Sequence, residues 1–263
     1  MSRIECRGRT ALVTGASSGL GADFARDLAA RGANLVIVAR RDDKLTLLAD
    51  EICTAHGVDI KAIPMDLGTE RAPQELHRQL TEAGLAVDFL VNNAGFGVYG
   101  DFLTLDWERE NAMLQLDVVT LTHLSKLFGR DMAERGFGAM LQIASTGAFQ
   151  PSPGYASYAA AKAYVKSFSY AIDHEMRPRG VTSTVLSPGV TATEFLQVSG
   201  QRRNWFHKLT MMQSPAVARV GINAMLARRK GVVAGWMNKL AAHSNRMNPT
   251  AVSTGIAAVA MKN

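Results

Sequence analysis

Two cysteines are all that the 263 residues contain, Cys6 and Cys53, and neither belongs to a Cys-x-x-Cys pair. That scarcity excludes a disulfide framework and argues against a thiolate metal site, so a reducing compartment is the expected setting. The histidines, His56, His77, His123, His174, His207 and His243, stand singly with no pair at ligand spacing, and no metal is expected. No apolar core of signal-peptide length follows Met1, and the apolar-leaning run from Ala251 to Met261 is about half a spanning helix. The protein is therefore expected to be cytoplasmic and without a membrane span. Internal repeats and linker-like stretches are missing too. The net charge of +6 is spread along the chain except at Arg202-Arg203 and Arg228-Arg229-Lys230. With no nucleic-acid motif beside them, these clusters read as solvated helix surface, and no nucleic-acid partner is expected.

What is present is an ordinary globular composition, 47% hydrophobic and 20% charged, long enough to bury a substantial core. Thr10–Thr14 is a short apolar β-rich run that leads into Gly15-Ala-Ser-Ser-Gly19-Leu20-Gly21 and then a helical pattern at Phe24, Leu28 and Ala29. Strand, glycine loop and helix in that order suit a phosphate. Gly15 takes the turn, Gly19 admits a pyrophosphate, and Gly21 lets the helix pack on the sheet. The helix N-terminus, Leu20 within it, offers free N–H groups, with the Ser17 and Ser18 hydroxyls close by. A plain strand-to-helix turn is the other reading of three glycines.

The next strand, Ala33–Ala39, is continuously apolar, as in a parallel sheet buried on both faces. In a dinucleotide fold an acidic residue at its end would hold a ribose 2′-hydroxyl; here the residues are Arg40 and Arg41, whose guanidinium groups suit a 2′-phosphate. NADP is thus expected over NAD, the alternative being that both arginines solvate a loop and pair with Asp42 and Asp43. Helices over Lys44–Cys53 and Pro73–Glu82 alternate with strands over Ile60–Pro64 and Val87–Asn92. This alternation predicts an α/β fold, a Rossmann-type doubly wound parallel sheet of about seven strands with helices on both faces. Asp66, with Leu67 beside it, is placed to accept a hydrogen bond from an adenine amino group. After the fourth strand, the small residues of Asn92-Asn93-Ala94-Gly95 let backbone lie against a cofactor.

Trp107–Glu134 reads as one long helix, Ala139–Ala144 as the fifth strand, Tyr155–Met176 as a second long helix, and Val181–Leu186 as the sixth strand. Ser145 sits at the end of the fifth strand. Tyr158 and Lys162, four residues apart, share a helix face. The bare spacing also fits an amphipathic helix, but a cation beside a phenol lowers its pKa toward catalytic use. No domain boundary interrupts the chain, and residues 1–263 read as a single NAD(P)-binding domain.

In this order and at this spacing, Thr14-Gly15-x-x-x-Gly19-x-Gly21, Asn92-Asn93-Ala94-Gly95, Ser145, Tyr158-x-x-x-Lys162 and Pro188-Gly189 with Thr193 resemble the short-chain dehydrogenase/reductase family from about Thr10 to Phe195. The resemblance implies that NADPH delivers hydride to a carbonyl carbon while Tyr158 gives a proton to the oxygen. Ser145 would hold that oxygen, and Lys162 would bind the ribose and depress the phenol pKa. Pro188, Gly189, Val190 and Thr193 would hold the nicotinamide carboxamide. It also implies a homodimer or homotetramer.

One position departs from the family pattern. Where members carry an asparagine that helps hold a proton-relaying water, this chain aligns Asp117, an acceptor that donates nothing and adds a negative charge near Lys162. Activity is expected to survive this. The substrate is expected over the nicotinamide, between the loop after Asn92 and a lid at about residues 194–212. Phe96, Val98, Phe149, Tyr155, Phe195, Trp205, Met211 and Met212 give these parts an apolar character. A lipophilic ketone, aldehyde or 3-oxoacyl group is expected, with the corresponding alcohol as product. Arg202, Arg203 and Lys208 leave room for an acidic carrier. The competing reading is a non-catalytic NADP-binding sensor or scaffold.

Overall fold

The computed structural model of the chain describes residues 3–202, 210–245 and 248–261. Seven strands form one parallel sheet in the order β3-β2-β1-β4-β5-β6-β7. They are β1 (Thr10–Thr14), β2 (Asn34–Ala39), β3 (Ile60–Pro64), β4 (Phe89–Asn92), β5 (Gly138–Ile143), β6 (Val181–Ser187) and β7 (Gly231–Val233). The central strands are apolar on both faces, and successive side chains feed two different cores. Ala11 and Val13 of β1, with Leu35 and Ile37 of β2, enter one cluster; Leu12, Val36 and Val38 enter the other.

The first core is closed by α1 (Gly19–Ala30), α2 (Asp42–His56) and α8 (Ser214–Leu226), through Phe24, Leu28, Leu45, Ile52 and Ile222. The second is closed by α3 (Ala72–Glu82) and α5 (Leu121–Glu134), through Leu76, Leu80, Leu124 and Phe128. Among the described residues the remaining α-helices are α4 (Trp107–Leu114), α6 (Ala156–Met176), α7 (Phe195–Ser199), α9 (Trp236–Ser244) and α10 (Thr250–Met261).

The strand order changes direction at β1 and β4. From β1 the chain winds outward through β2 and β3, and then it crosses back to β4 and winds the other way. Crevices beyond the carboxyl ends of strands at such a reversal are where doubly wound sheets bind ligands. The expected helix over Trp107–Glu134 differs in one respect. Between α4 and α5, residues Gln115–Thr120 form a π-helical turn, which places an extra residue in the turn and re-aims the side chains within it.

Candidate active site

β1 ends at Thr14, and the chain turns through Gly15, at φ +68°, and Gly19, at φ +53°, into α1. These are left-handed conformations that glycine adopts without strain. A Cβ on Gly21 would run into the Gly15 carbonyl and come within 2.6 Å of Asn93 Nδ2, so the loop is a close-packed cradle. Thr14 ties it to the loop after β4: its Oγ1 accepts from the N–H groups of Asn93 and Ala94, each at 3.0 Å, and its carbonyl accepts from Asn93 Nδ2 at 2.9 Å. Behind them, buried Asn92 donates to Ser125 Oγ at 2.9 Å and Gln142 Oε1 at 3.0 Å, joining β4, β5 and α5.

Arg41, just past β2, folds back over the cradle. Its guanidinium donates to Ser18 Oγ at 2.7 Å and Ser17 Oγ at 3.1 Å, and to Glu194 Oε2 at 3.0 Å. These, rather than Asp42 or Asp43, are its partners. Lys44 Nζ also reaches Glu194 at 3.2 Å, and the two cations, Lys44 foremost, hold that carboxyl below its usual pKa. Arg40 is exposed on the same rim. After β3, Asp66 stands exposed and accepts from the Gly68 N–H at 2.9 Å. The carbonyl of Leu67 accepts from Thr120 Oγ1 of the π turn at 2.8 Å.

Ser145 follows β5, and its Oγ accepts from the Gly147 N–H at 3.1 Å at the start of a short 3₁₀ turn. The Tyr158 phenol on α6 lines the same cavity as Ser145. One turn along α6, the Lys162 ammonium lies 5.6 Å from the centroid of the Tyr158 ring and donates to the Ile143 carbonyl at 3.1 Å. It also faces Asp117 Oδ2 at 2.8 Å. Asp117 Oδ1 accepts from the Phe96 N–H at 3.0 Å, and a Cβ on Gly95 would lie 2.6 Å from that oxygen. The π turn, the loop after β4 and α6 are thereby pinned together by one carboxylate.

The electrostatics differ from the sequence expectation. Enclosure around the Tyr158 hydroxyl pushes its pKa up, the Asp117 charge pushes it further, and the nearby Ser145 hydroxyl opposes both. Asp117 is itself raised by complete burial, with Lys162 and the Phe96 N–H pulling the other way. A lysine expected to lower the phenol pKa is matched by an anion that raises it.

A cavity of about 690 Å³ runs along these strand ends. It is lined by every residue expected to hold the cofactor, from Gly15 and Arg40 through Asp66 and Asn93 to Pro188, Gly189, Val190 and Thr193, and by Ser145, Tyr158 and Lys162. Of the four expected catalytic residues, Ser145, Tyr158, Lys162 and Asp117, Asp117 alone stands behind the wall. A glycine cradle under a helix N-terminus, with two arginines on its rim, fits a phosphorylated dinucleotide.

The far end of the cavity is aromatic. Tyr155 packs against Tyr99, Tyr158 and Phe195 with ring centroids 5.0, 5.5 and 6.4 Å away. Its hydroxyl meets Ser199 Oγ at 2.8 Å and donates to Gln201 Oε1 at 3.0 Å. Phe96, Tyr155 and Phe195 line the cavity as expected, whereas Val98, Phe149, Met211 and Met212 do not. Phe149 lies under the Lys166 ammonium, and Met212 packs on the first core. Trp205, Arg203 and Lys208, in the middle of the expected lid, lie outside the described residues. Val198 and Gln201, within the expected lid, line the wall, and sequence reasoning missed Arg109 and Met261 there. Arg109 donates to the Val198 carbonyl, and Gln201 Nε2 to the Met261 carbonyl at 2.8 Å. No motif marks them; they meet only because α4, the segment after α7 and α10 converge.

Comparison with known proteins agrees with this geometry. The family model described as short chain dehydrogenase matches residues 9–204. The chain is 29% identical over 253 residues to a 7beta-hydroxysteroid dehydrogenase of Collinsella aerofaciens, covering 95% of both proteins. It is 32% identical over 179 residues to a very-long-chain 3-oxoacyl-CoA reductase of Pyrenophora tritici-repentis, covering 66% of this chain and 52% of that enzyme, so it spans about half that relative's length. Among solved structures, a short-chain dehydrogenase from Sphingobium yanoikuyae in complex with NADPH superposes with a TM-score of 0.80 at 28% identity, covering 91% of this chain and 95% of that one. The chain belongs to the short-chain dehydrogenase family, oxidoreductases that act on CH–OH groups and carbonyls.

Proposed function

We propose that the protein is an NADPH-dependent reductase of a lipophilic ketone, aldehyde or 3-oxoacyl compound, running in reverse as an alcohol dehydrogenase. The observation that carries this reading is that Ser145, Tyr158 and Lys162 open onto the same cavity as the glycine cradle and the arginine rim. When bound, the nicotinamide supplies the hydride. The chain's own residues supply the rest. The cradle, Ser17, Ser18 and the α1 N-terminus hold the pyrophosphate, Arg40 and Arg41 the 2′-phosphate, and Asp66 with Leu67 flanks the adenine. Asn93, Ala94 and Gly95 give a smooth backbone surface, and Pro188, Gly189, Val190 and Thr193 hold the carboxamide.

Ser145 donates to the substrate oxygen as charge develops on it. The Tyr158 phenol, kept neutral by its enclosure, releases its proton to that oxygen. Lys162 binds the ribose hydroxyls, and Asp117 is a positioning residue that fixes the ammonium from behind. The aromatic far wall favours an apolar body on the substrate, which is in keeping with the hydroxysteroid and long-chain oxoacyl compounds named for relatives of this chain.

The membership of all seven strands in one sheet supports reading residues 1–263 as one domain. We further propose a homodimer or homotetramer, which sedimentation velocity would distinguish from a monomer. The competing reading, a non-catalytic NADP-binding scaffold, is favoured only by the buried Asp117 that faces Lys162. The test is NADPH and NADH oxidation against a panel of hydrophobic ketones, aldehydes and 3-oxoacyl thioesters. Turnover with NADPH supports the reductase, and tight NADPH binding with no turnover on any carbonyl supports the scaffold.

A further inference from the structure

Between β5 and α6 the chain reads Ser145-Thr-Gly-Ala-Phe-Gln-Pro-Ser152-Pro-Gly-Tyr155, so a second serine, set between two prolines, follows the one that faces the substrate oxygen. Each proline ring fixes its own φ, and Pro153 also turns the backbone of Ser152 away from the helical region. Ser152 is left with a stiff backbone and one free torsion, that of its hydroxyl. The segment curls back on itself. Ser145 Oγ accepts from the Gly147 N–H at 3.1 Å, the Ser145 carbonyl from the Ala148 N–H at 3.0 Å, and the Ser152 carbonyl from the Tyr155 N–H at 2.9 Å. This curl sets the two hydroxyls on either side of Gly147: the place of a Cβ there lies 3.5 Å from Ser145 Oγ and 3.9 Å from Ser152 Oγ.

Ser145, Gly147, Ser152 and Tyr158 all line the cavity. Ser152 is only 5% exposed, and its Oγ has no hydrogen-bond partner among the described residues. Of the buried side-chain hydroxyls in that condition, it alone lines the cavity. Its other side is a shallow apolar face that includes Ala148, Pro151, Pro153 and Ala160, where the Gln150 Oε1 is already taken by Asn245 Nδ2. A buried hydroxyl left unpaired is unfavourable, so one in the wall of a ligand cavity points to an acceptor on the ligand.

We propose that Ser152 is a specificity-determining residue that donates to a second substrate oxygen, separated from the reacting carbonyl by one methylene, and that the substrates are 3-oxoacyl compounds rather than isolated ketones or aldehydes. This deepens the reductase reading and rests on it. The two carbonyl oxygens of a 3-oxoacyl ester or thioester can turn to the same side of the short chain between them, to meet two hydroxyls that flank one glycine. Ser145 takes the oxygen on which charge develops. Ser152 turns about χ1 to meet the acyl oxygen, which stays neutral throughout the reaction. Its contribution is therefore equal in ground and transition states and is read in KM rather than kcat. A ketone without the second oxygen leaves the hydroxyl unpaired, and the site discriminates against it.

The test compares kcat/KM with NADPH for a 3-oxoacyl thioester of N-acetylcysteamine and for a methyl ketone of the same chain length, in the parent, Ser152→Ala and Ser152→Cys. Dividing one value by the other removes any general loss of activity. The expected result is a fall of about tenfold in the preference for the thioester in Ser152→Ala, carried by a higher KM for the thioester, and a similar fall in Ser152→Cys, whose thiol is a weak donor. NADPH affinity identifies a variant that has not folded, and the other then decides. The proposal is overturned if the folded variants keep the parent's preference, or if the parent reduces ketones but no 3-oxoacyl thioester; in both cases the reductase reading survives. NADPH binding by the parent with no turnover of either compound or of any other carbonyl overturns both.

Discussion

Asp117 Oδ2 lies 2.8 Å from the Lys162 ammonium, with the carboxylate fully buried and the lysine nearly so. The pair occupies the place where an amide would leave the lysine's charge uncompensated. It sits directly behind the phenol proposed to move a proton, so its consequences are read in pH dependence as well as in stability.

Replacing Asp117 with asparagine keeps an acceptor for the Phe96 N–H and removes the charge. An anion near the phenol disfavours phenolate, so its loss lowers the Tyr158 pKa. The pH profile of kcat/KM for alcohol oxidation, which needs phenolate, then moves to lower pH by roughly one unit or more. The upper limb for carbonyl reduction, which needs the neutral phenol, moves down with it. Unchanged profiles would show that the carboxylate does not reach the phenol electrostatically.

Asp117→Ala removes the charge and the acceptor together, leaving Lys162 buried beside an unmatched cavity and the Phe96 N–H without its acceptor. A loss of about 3–5 kcal/mol is expected for breaking a buried pair from one side. Urea denaturation of parent, Asp117→Asn and Asp117→Ala measures it, with the asparagine variant expected between the other two.

Arg41 is held by Ser17, Ser18 and Glu194 across the mouth of the cofactor cleft. If it grips a 2′-phosphate, Arg41→Ala weakens NADPH by about 10–100-fold, as losing charge-assisted hydrogen bonds does, and weakens NADH much less. Arg40→Asp is expected to act in the same sense, adding repulsion. Fluorescence titration of both nucleotides measures the effect, and equal losses for the two would remove the 2′-phosphate role.

Glu194 competes for the same cations, facing Arg41 at 3.0 Å and Lys44 at 3.2 Å. Glu194→Gln is expected to tighten NADPH binding several-fold at low salt, with the gain shrinking as salt rises because the pairs are exposed. A weaker NADPH complex would mean that the carboxylate orders the cleft rather than competing in it.

Much of this architecture is legible in the linear chain. β1 and β3 fall where their apolar runs predict, and β2, β4, β5 and β6 begin or end within two residues of expectation, whereas the three-residue β7 is marked by no run of its own. The reason is physical: a strand buried on both faces must be apolar throughout, and the glycines, prolines and polar residues that bound it are equally plain. The glycine loop, Asn93, Ser145, Tyr158 and Lys162 are legible because each sits at a strand end or on a helix face set by local periodicity.

The features that escaped depend on long-range closure. The π turn at Gln115–Thr120 interrupts a helix whose apolar spacing continues through it, and nothing local marks the extra residue. Glu194 meets Arg41 from 153 residues away. Met261 reaches the cavity wall beside Gln201 only because α10 returns to it. Val98, Phe149, Met211 and Met212 resemble pocket residues in composition but do not line the cavity, since an apolar side chain near a site serves packing as readily as substrate.

The central claim is that Tyr158 gives the proton in a reduction by NADPH, and it is tested most directly with Tyr158→Phe, which keeps the ring and deletes the hydroxyl. The measurement is the rate of NADPH oxidation with a hydrophobic ketone that the parent reduces, alongside NADPH affinity. The account predicts a fall in kcat of at least about a hundredfold with nucleotide affinity nearly unchanged. A variant that reduces the ketone as fast as the parent would contradict it.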